Sequence, residues 1–241
     1  MKTIAVIQAR IGSSRLPGKV LKPLGDTCVL DYVVSRTRMI GGIADVVVAT
    51  STETRDDAVA EWCRERGVTV YRGSESNVLS RFLEAVEPYR PDAVIRVTAD
   101  NPFFDYETGS RLVELVKASG ADLAAFEPGH PVGAAVELVT YEALKRIGQA
   151  ASEPRHWEHV TFYAYEFPER FRIVRAPVPE ELRYAELRMT LDTEEDYQLL
   201  QAVAAAFPGM KTVPTAEVVK YLLSRPELIA INRHVRQKPV V

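Results

Sequence analysis

Long apolar runs, a basic excess and a cysteine framework are all missing from this chain. Only two cysteines, Cys28 and Cys63, occur in 241 residues. They lie far apart without metal-ligand spacing, so buried free thiols are expected rather than a disulfide scaffold or a zinc site. No apolar stretch approaches the ~18 residues that cross a bilayer. The first apolar run is too short for a signal segment and runs into arginine, not a small-residue cleavage site, so a cytoplasmic protein is expected. Lys and Arg total 30 against 33 Asp and Glu, a formal net charge of −3. That balance excludes a general nucleic-acid binder, which carries a marked basic excess; neither nucleic acid nor membrane is expected as a partner. Neither G-x-x-x-x-G-K-[ST] nor G-x-G-x-x-G is present, which removes the two commonest glycine-rich nucleotide motifs.

What is present is an alternation of short apolar runs and helix-period segments. Thr3–Ala9, Asp45–Thr50, Val68–Tyr71 and Asp92–Ala99 are read as strands. The first, second and fourth are almost continuously β-branched or apolar, the pattern of parallel strands covered on both faces. Residues 29–40, 54–67 and 76–87 carry helical periodicity, the second closing on Gly67 as a C-cap. This alternation predicts an α/β fold with a mainly parallel, doubly wound sheet. Beyond Phe126 the regularity lapses. An irregular loop feeds "VELVT", a helix follows, and His and aromatic residues crowd together between Ser152 and Phe171. "FRIVRAPVP" and "LRMTLDT" are read as strands, and Asp192 or Thr193 caps the helix that begins at Glu194. One domain over 1–241 is expected, with an insertion at about 126–186 and then a return to the main sheet.

Three stretches carry residue types suited to chemistry. In "QARIGSSRLPGK", Arg10, Arg15 and Lys19 are interleaved with Gly12, Ser13 and Ser14 directly after the first strand. Ligands of an open parallel sheet sit outside the carboxyl ends of its strands. Small residues there let the backbone approach phosphate oxygens, guanidinium groups clamp them bidentately, and an ammonium adds a point charge. An exposed basic loop would account for the same residues. Asp100, in "RVTADNPFFD", stands just past the fourth strand. A carboxylate there can hold Mg²⁺ against a triphosphate or form an Asx-turn before Pro102. Asp105 is expected to cap the next helix. Asp192, in "RMTLDT", is either a cap or a second metal-binding carboxylate. Two strand-end aspartates opposite a basic turn fit metal-assisted phosphoryl or nucleotidyl transfer.

Taken in order, these stretches resemble the sugar cytidylyltransferases. "AVIQARIGSSRLPGKVL" is similar to their CTP-binding signature. "VYRGSESNVLSRF", "VIRVTADNPFFD", "VELVTYEAL", "EHVTFYAY", "LRMTLDTEEDYQL" and "PELIAINRHVRQK" resemble the spore-coat polysaccharide branch, related to CMP-ketodeoxyoctulosonate and CMP-sialate synthetases. The resemblance implies a GT-A-like nucleotidyltransferase fold and CTP phosphates held by Arg10, Ser13, Arg15 and Lys19. It places Ala9 and Arg10 near the base, Arg72 and Gly73 where cytosine and ribose are read, and Mg²⁺ on Asp100 and Asp192. Glu137 and His159 are implied acceptor contacts, although a solvent-facing strand residue and a packed histidine are the structural alternatives. A homodimer is implied through the aromatic region of Trp157, Phe162, Tyr163, Tyr165 and Phe167. Two departures stand out: Asn101 replaces the Cys or small residue often found there, and Ala135 stands where the spore-coat branch often carries Asp.

The expected reaction transfers CMP from CTP to an acidic, ulosonic-acid-like sugar and releases pyrophosphate, in surface polysaccharide or glycoconjugate biosynthesis. Arg15 and Lys19 would stabilise the leaving pyrophosphate, with Asp100 and Asp192 at the metal. A phosphonate acceptor is an alternative. A GT-A glycosyltransferase shares the sheet but usually carries Asp-x-Asp, which "TADNPFFD" lacks. A non-catalytic nucleotide-binding subunit would have no need of three cations and both aspartates.

Overall fold

A computed structural model describes residues 1–13 and 15–237; Ser14 of the basic turn lies outside the described residues. The chain runs through β1 (Thr3–Gln8), a short ribbon of β2 (Pro23–Leu24) and β3 (Thr27–Cys28), α1 (Val29–Thr37), β4 (Ile43–Ser51), α2 (Asp57–Glu65) and β5 (Thr69–Gly73). It continues with α3 (Val78–Val86), β6 (Ala93–Thr98), α4 (Tyr106–Ser119), β7 (Leu123–Phe126), β8 (Glu137–Thr140) and α5 (Tyr141–Ala150). Then come α6 (Pro154–Glu158), α7 (Phe162–Glu166), β9 (Ile173–Ala176), α8 (Glu194–Ala206), α9 (Thr215–Leu223) and α10 (Pro226–Asn232).

Seven strands form one sheet in the order β5-β4-β1-β6-β8-β7-β9. All its pairings are parallel except β6 with β8 and β7 with β8, so β8 alone runs against the rest. β1 shows why the sheet is covered on both sides. Side chains alternate across a strand, and Ala5 and Ile7 join one hydrophobic core while Ile4 and Val6 join the other. The first core takes Leu30 and Val33 of α1 and Val113 of α4; the second takes Phe82 of α3 and Leu144 and Ile147 of α5.

Register brings the chemistry-bearing turns together. Gln8 at the end of β1 pairs with Thr98 at the end of β6, and the Ala99 amide donates to the Gln8 carbonyl at 3.0 Å. The basic turn after β1 and Asp100 after β6 therefore leave the same sheet edge side by side. Because β8 is antiparallel, its first residue, Glu137, pairs with Arg96 and arrives at that edge too.

Two expectations change, and one open choice is settled. "LRMTLDT" is not a strand: it lies extended beside the site with a single parallel bridge, Arg188 to Val132. Its amides are spent locally, Met189 on the Val132 carbonyl and Leu191 on the Asp100 carbonyl, both at 2.8 Å. Consequently, among the described residues the chain adds no strand to the main sheet after β9. The helix cap falls to Thr193, which exchanges a capping box with Asp196 and leaves the Asp192 side chain free for other partners. Asp105 does cap α4, accepting from the Thr108 amide at 2.8 Å. Of residues 126–186, β8 and β9 belong to the sheet itself, and β7 just before them was not expected.

Candidate active site

A cavity of about 670 Å³ opens at the carboxyl ends of β1 and β6. Arg10, Gly12, Ser13, Arg15, Lys19, Asp100, His159 and Asp192 all line it, together with Gln8, Arg96, Asn101, Gly133, Glu158 and Thr190. The two aspartates come from separate parts of the chain but share one cation. Lys19 Nζ donates to Asp100 Oδ2 at 2.8 Å, to Asp192 Oδ1 at 2.9 Å and to the Leu191 carbonyl at 2.6 Å. Arg15 Nη2 lies 3.0 Å from the other Asp192 oxygen, which also accepts from Arg188 Nη2 at 2.8 Å.

Electrostatics follow from that geometry. Burial alone would lower the Lys19 ammonium, but the Asp100 and Asp192 carboxylates outweigh it and raise its pKa. Burial would push the Asp192 carboxyl up, yet Lys19, Arg15 and Arg188 hold it below the ordinary carboxylate value. His159 is pushed the other way: burial and the nearby Arg96 lower its pKa, which favours the uncharged imidazole.

The basic turn is held from below. The Ile11 amide donates to Asp56 Oδ1 at 2.7 Å, and Asp56 is fully buried. Gly18 closes the turn at φ +71°, in the left-handed region. Across the cavity Gly133 sits at φ +90°, and a Cβ there would stand 2.7 Å from the Thr190 amide nitrogen. Only glycine fits between this loop and the 187–193 segment.

Not every expected residue reaches the cavity. Ala9 is buried in the core, its amide bonded to the Ala49 carbonyl at 3.1 Å. Neither Arg72 nor Gly73 is part of the cavity wall. The Arg72 guanidinium is committed to the Ser51 and Glu53 carbonyls and to Asp57. Glu137 lines an adjoining cavity of about 450 Å³ with His130, Tyr165 and Arg175, and Asn101, Val132 and Gly133 form the wall common to both. There Glu137 accepts from Arg96 at 3.1 Å and from the Thr161 hydroxyl at 2.8 Å. Two contributors were not read from the sequence. Glu158 pairs with Arg10 at 2.8 Å, and Arg188 holds Asp192. Nothing in the local pattern of "PRHWE" marks an acid for a distant arginine, whereas "RMTLD" did place Arg188 four residues before Asp192.

The donor set fits a hard divalent cation. One oxygen from each of two carboxylates already converges on a single ammonium, and Mg²⁺ asks for carboxylate oxygens plus phosphates and water. No group of three or more His, Cys, Asp and Glu side chains that could hold a metal unaided occurs among the described residues. Likewise, no described helix is long and apolar enough to cross a membrane.

A mostly parallel α/β sheet with a basic turn facing two aspartates defines the nucleotidyltransferase class. Within it the chain belongs to the cytidylyltransferase family, whose model matches residues 4–223. The spore coat polysaccharide biosynthesis protein SpsF of Bacillus subtilis is 36% identical over 227 residues, covering 92% of this chain and 94% of that protein. A cytidylyltransferase structure from Leptospira borgpetersenii aligns with a TM-score of 0.89 at 29% identity, covering 99% of both chains. The CMP:2-keto-3-deoxy-manno-octonic acid synthetase complexed with CTP shares the fold, with a TM-score of 0.62 at 18% identity over 86% of this chain and all of that one.

Proposed function

We propose that this cytidylyltransferase transfers CMP from CTP to an acidic sugar of the ulosonic-acid type, with release of pyrophosphate. The observation that carries the reading is the convergence of Arg15, Lys19, Asp100 and Asp192 on one cavity at the sheet edge. The acceptor hydroxyl oxygen attacks the α-phosphorus and gives up its proton to solvent, while the bond from the α-phosphorus to the bridging oxygen breaks and pyrophosphate leaves. Arg10, Arg15 and Lys19, with Gly12 and Ser13, bind the phosphates, and Arg15 and Lys19 stabilise charge on the departing pyrophosphate. Asp100 and Asp192 would hold Mg²⁺, which supplies charge neutralisation at the reacting phosphate when bound. Positioning and electrostatics carry the rate, with no covalent enzyme intermediate.

An acidic acceptor is supported by the adjoining cavity. Arg175 at its rim has no carboxylate partner within salt-bridge distance among the described residues, and its Nη1 donates only to the Phe126 carbonyl at 3.3 Å. Glu137 is already spent on Arg96 and Thr161, so it orients Arg96 rather than repelling an acid. His159, in the wall of the main cavity, offers a ring nitrogen to an acceptor hydroxyl. In SpsF, polysaccharide biosynthesis is part of the protein's name, which supports a surface-glycan setting here.

The test is pyrophosphate release from CTP against a panel of ulosonic, other acidic and neutral sugars and phosphonates, with UTP and ATP in parallel. Turnover with an acidic sugar and CTP, lost by orders of magnitude in Asp100→Asn, is the expected result. Turnover only with neutral sugars, or full activity of Asp100→Asn, overturns the reading.

A further inference from the structure

The C-terminal motif "PELIAINRHVRQK" takes no part in the chemistry above, yet it is tied to the site. Its first seven residues form α10, whose last residue, Asn232, is only 2% exposed; its final residue, Lys238, lies outside the described residues. Asn232 Nδ2 donates to Asp196 Oδ1 at 2.8 Å and to the Arg188 carbonyl at 3.1 Å. Asp196, in the first turn of α8, is fully buried. It accepts from Arg188 Nε at 2.9 Å and Nη2 at 3.1 Å, and from the Asp192 amide at 3.0 Å. Arg188 then donates to Asp192 Oδ2 at 2.8 Å.

We infer that Asn232, Asp196 and Arg188 form a positioning relay through which the C-terminal helix fixes the Asp192 carboxylate, with one oxygen held from behind and the other facing Lys19 and Asp100. The inference rests on the proposed role of Asp192 as a metal-holding group.

Two features favour this over a simple structural staple. First, buried ionic groups are a costly way to join elements, since apolar side chains of similar volume do so with no desolvation penalty. Second, the contacts are directional and address Asp192 twice: Asp196 grips its amide while Arg188 grips one carboxylate oxygen. Together they set the carboxylate's orientation. Arg188, Asp196 and Asn232 are positioning residues here, because none is placed against the reacting atoms.

The experiment titrates Mn²⁺ by electron paramagnetic resonance against the 241-residue chain with saturating CTP and no acceptor. Asn232→Leu removes both donors at nearly constant size. Outer-shell changes typically weaken a metal by about 10–100-fold, so a loss of about tenfold in Mn²⁺ affinity is expected. In an Asp192→Asn background the same Asn232→Leu change should have no further effect, and Arg188→Lys should fall between wild type and Asn232→Leu. Wild-type Mn²⁺ affinity in Asn232→Leu, or an equal loss in both backgrounds, overturns the relay and leaves a structural strut. If Asp192→Asn itself does not weaken Mn²⁺, the metal role of Asp192 fails and the relay fails with it. Melting temperatures are recorded throughout; if Asn232→Leu does not fold, Arg188→Lys carries the same two-background comparison.

Discussion

Lys19 bridges the two aspartates that would hold a divalent cation on the proposed reading, and replacing it tests the site most directly. Its ammonium spends all three N–H groups on Asp100, Asp192 and the Leu191 carbonyl, at 2.6–2.9 Å, and its side chain is 11% exposed. Removing one partner of a buried ion pair costs roughly 3–5 kcal/mol. Here the cost is reduced, because Arg15 and Arg188 still neutralise Asp192 and Asp100 is 27% exposed. Lys19→Met should therefore lose about 2–3 kcal/mol, a drop in Tm of roughly 4–12 °C for a domain of this size. The same change leaves two carboxylates converging on a vacated position. Mn²⁺ without nucleotide should then bind the variant and restore part of its stability, about 1.4 kcal/mol at ten times the dissociation constant. In the wild-type protein Lys19 competes for the same oxygens, so Mn²⁺ alone should shift Tm little. Scanning calorimetry of both proteins with and without Mn²⁺ decides the matter. An equally small response in the two would refute the claim that Lys19 and the metal compete for one position.

Three other expectations concern the scaffold and the acid limb. Arg36 is fully buried, bonded to the carbonyls of Phe104, Lys211 and Val213 and to the Thr215 hydroxyl, and burial brings its pKa down to about 10. Arg36→Met should cost about 3–5 kcal/mol in urea unfolding by orphaning those acceptors, and a loss under 1 kcal/mol would contradict it. Asp192 binds its proton less readily folded than unfolded, so its contribution is present above the unfolded value of about 3.9 and lost as pH falls through the lower folded value. The Tm gap between wild type and Asp192→Asn should narrow as the pH is lowered from 6 toward 3; a gap that widens would reverse the assignment. Gly133→Ala combines positive φ with a Cβ 2.9 Å from Asn101 Oδ1. It should cost more than about 1 kcal/mol and lower turnover by displacing the 187–193 segment, measured by melting and pyrophosphate release.

How much of this was legible in the sequence follows from how local each signal is. The apolar runs of β1, β4 and β6 and the capping of α4 by Asp105 are written in adjacent residues, and they stand as read. The basic turn and Asp100 were placed on one edge because parallel strands put their carboxyl ends together, which β1 and β6 do. "LRMTLDT" misled for the opposite reason. Its alternation looks like a strand, but its amides go to the Val132 and Asp100 carbonyls rather than to a strand of the sheet. The reversal of β8 was equally invisible, since "ELVT" carries no mark of direction; only the pairing to β6 reveals it. Likewise Glu158 and Asn232 act on residues far away in sequence, Arg10 and Arg188, and no spacing rule links such partners.

The charge pattern explains how a chain of net charge −3 can hold a polyanion. Arg15, Lys19 and Arg188 face Asp100, Asp192 and Asp196, three cations against three carboxylates in one connected cluster. The cluster is neutral by itself, so it is not an open cationic trap for any anion. A triphosphate that draws Arg15 and Lys19 toward its oxygens would strip Asp192 of two counter-ions and Asp100 of the Lys19 ammonium. Arg188, tied to Asp196 behind the site, would remain in place. Both the phosphates and the aspartates would then favour a divalent cation between them. Nucleotide and metal would each raise the other's affinity, as linkage requires, while an anion unable to recruit a metal would leave the aspartates uncompensated. On the proposed reading, the ion pairs of the site would thus favour a metal-bound triphosphate over an anion that brings no metal.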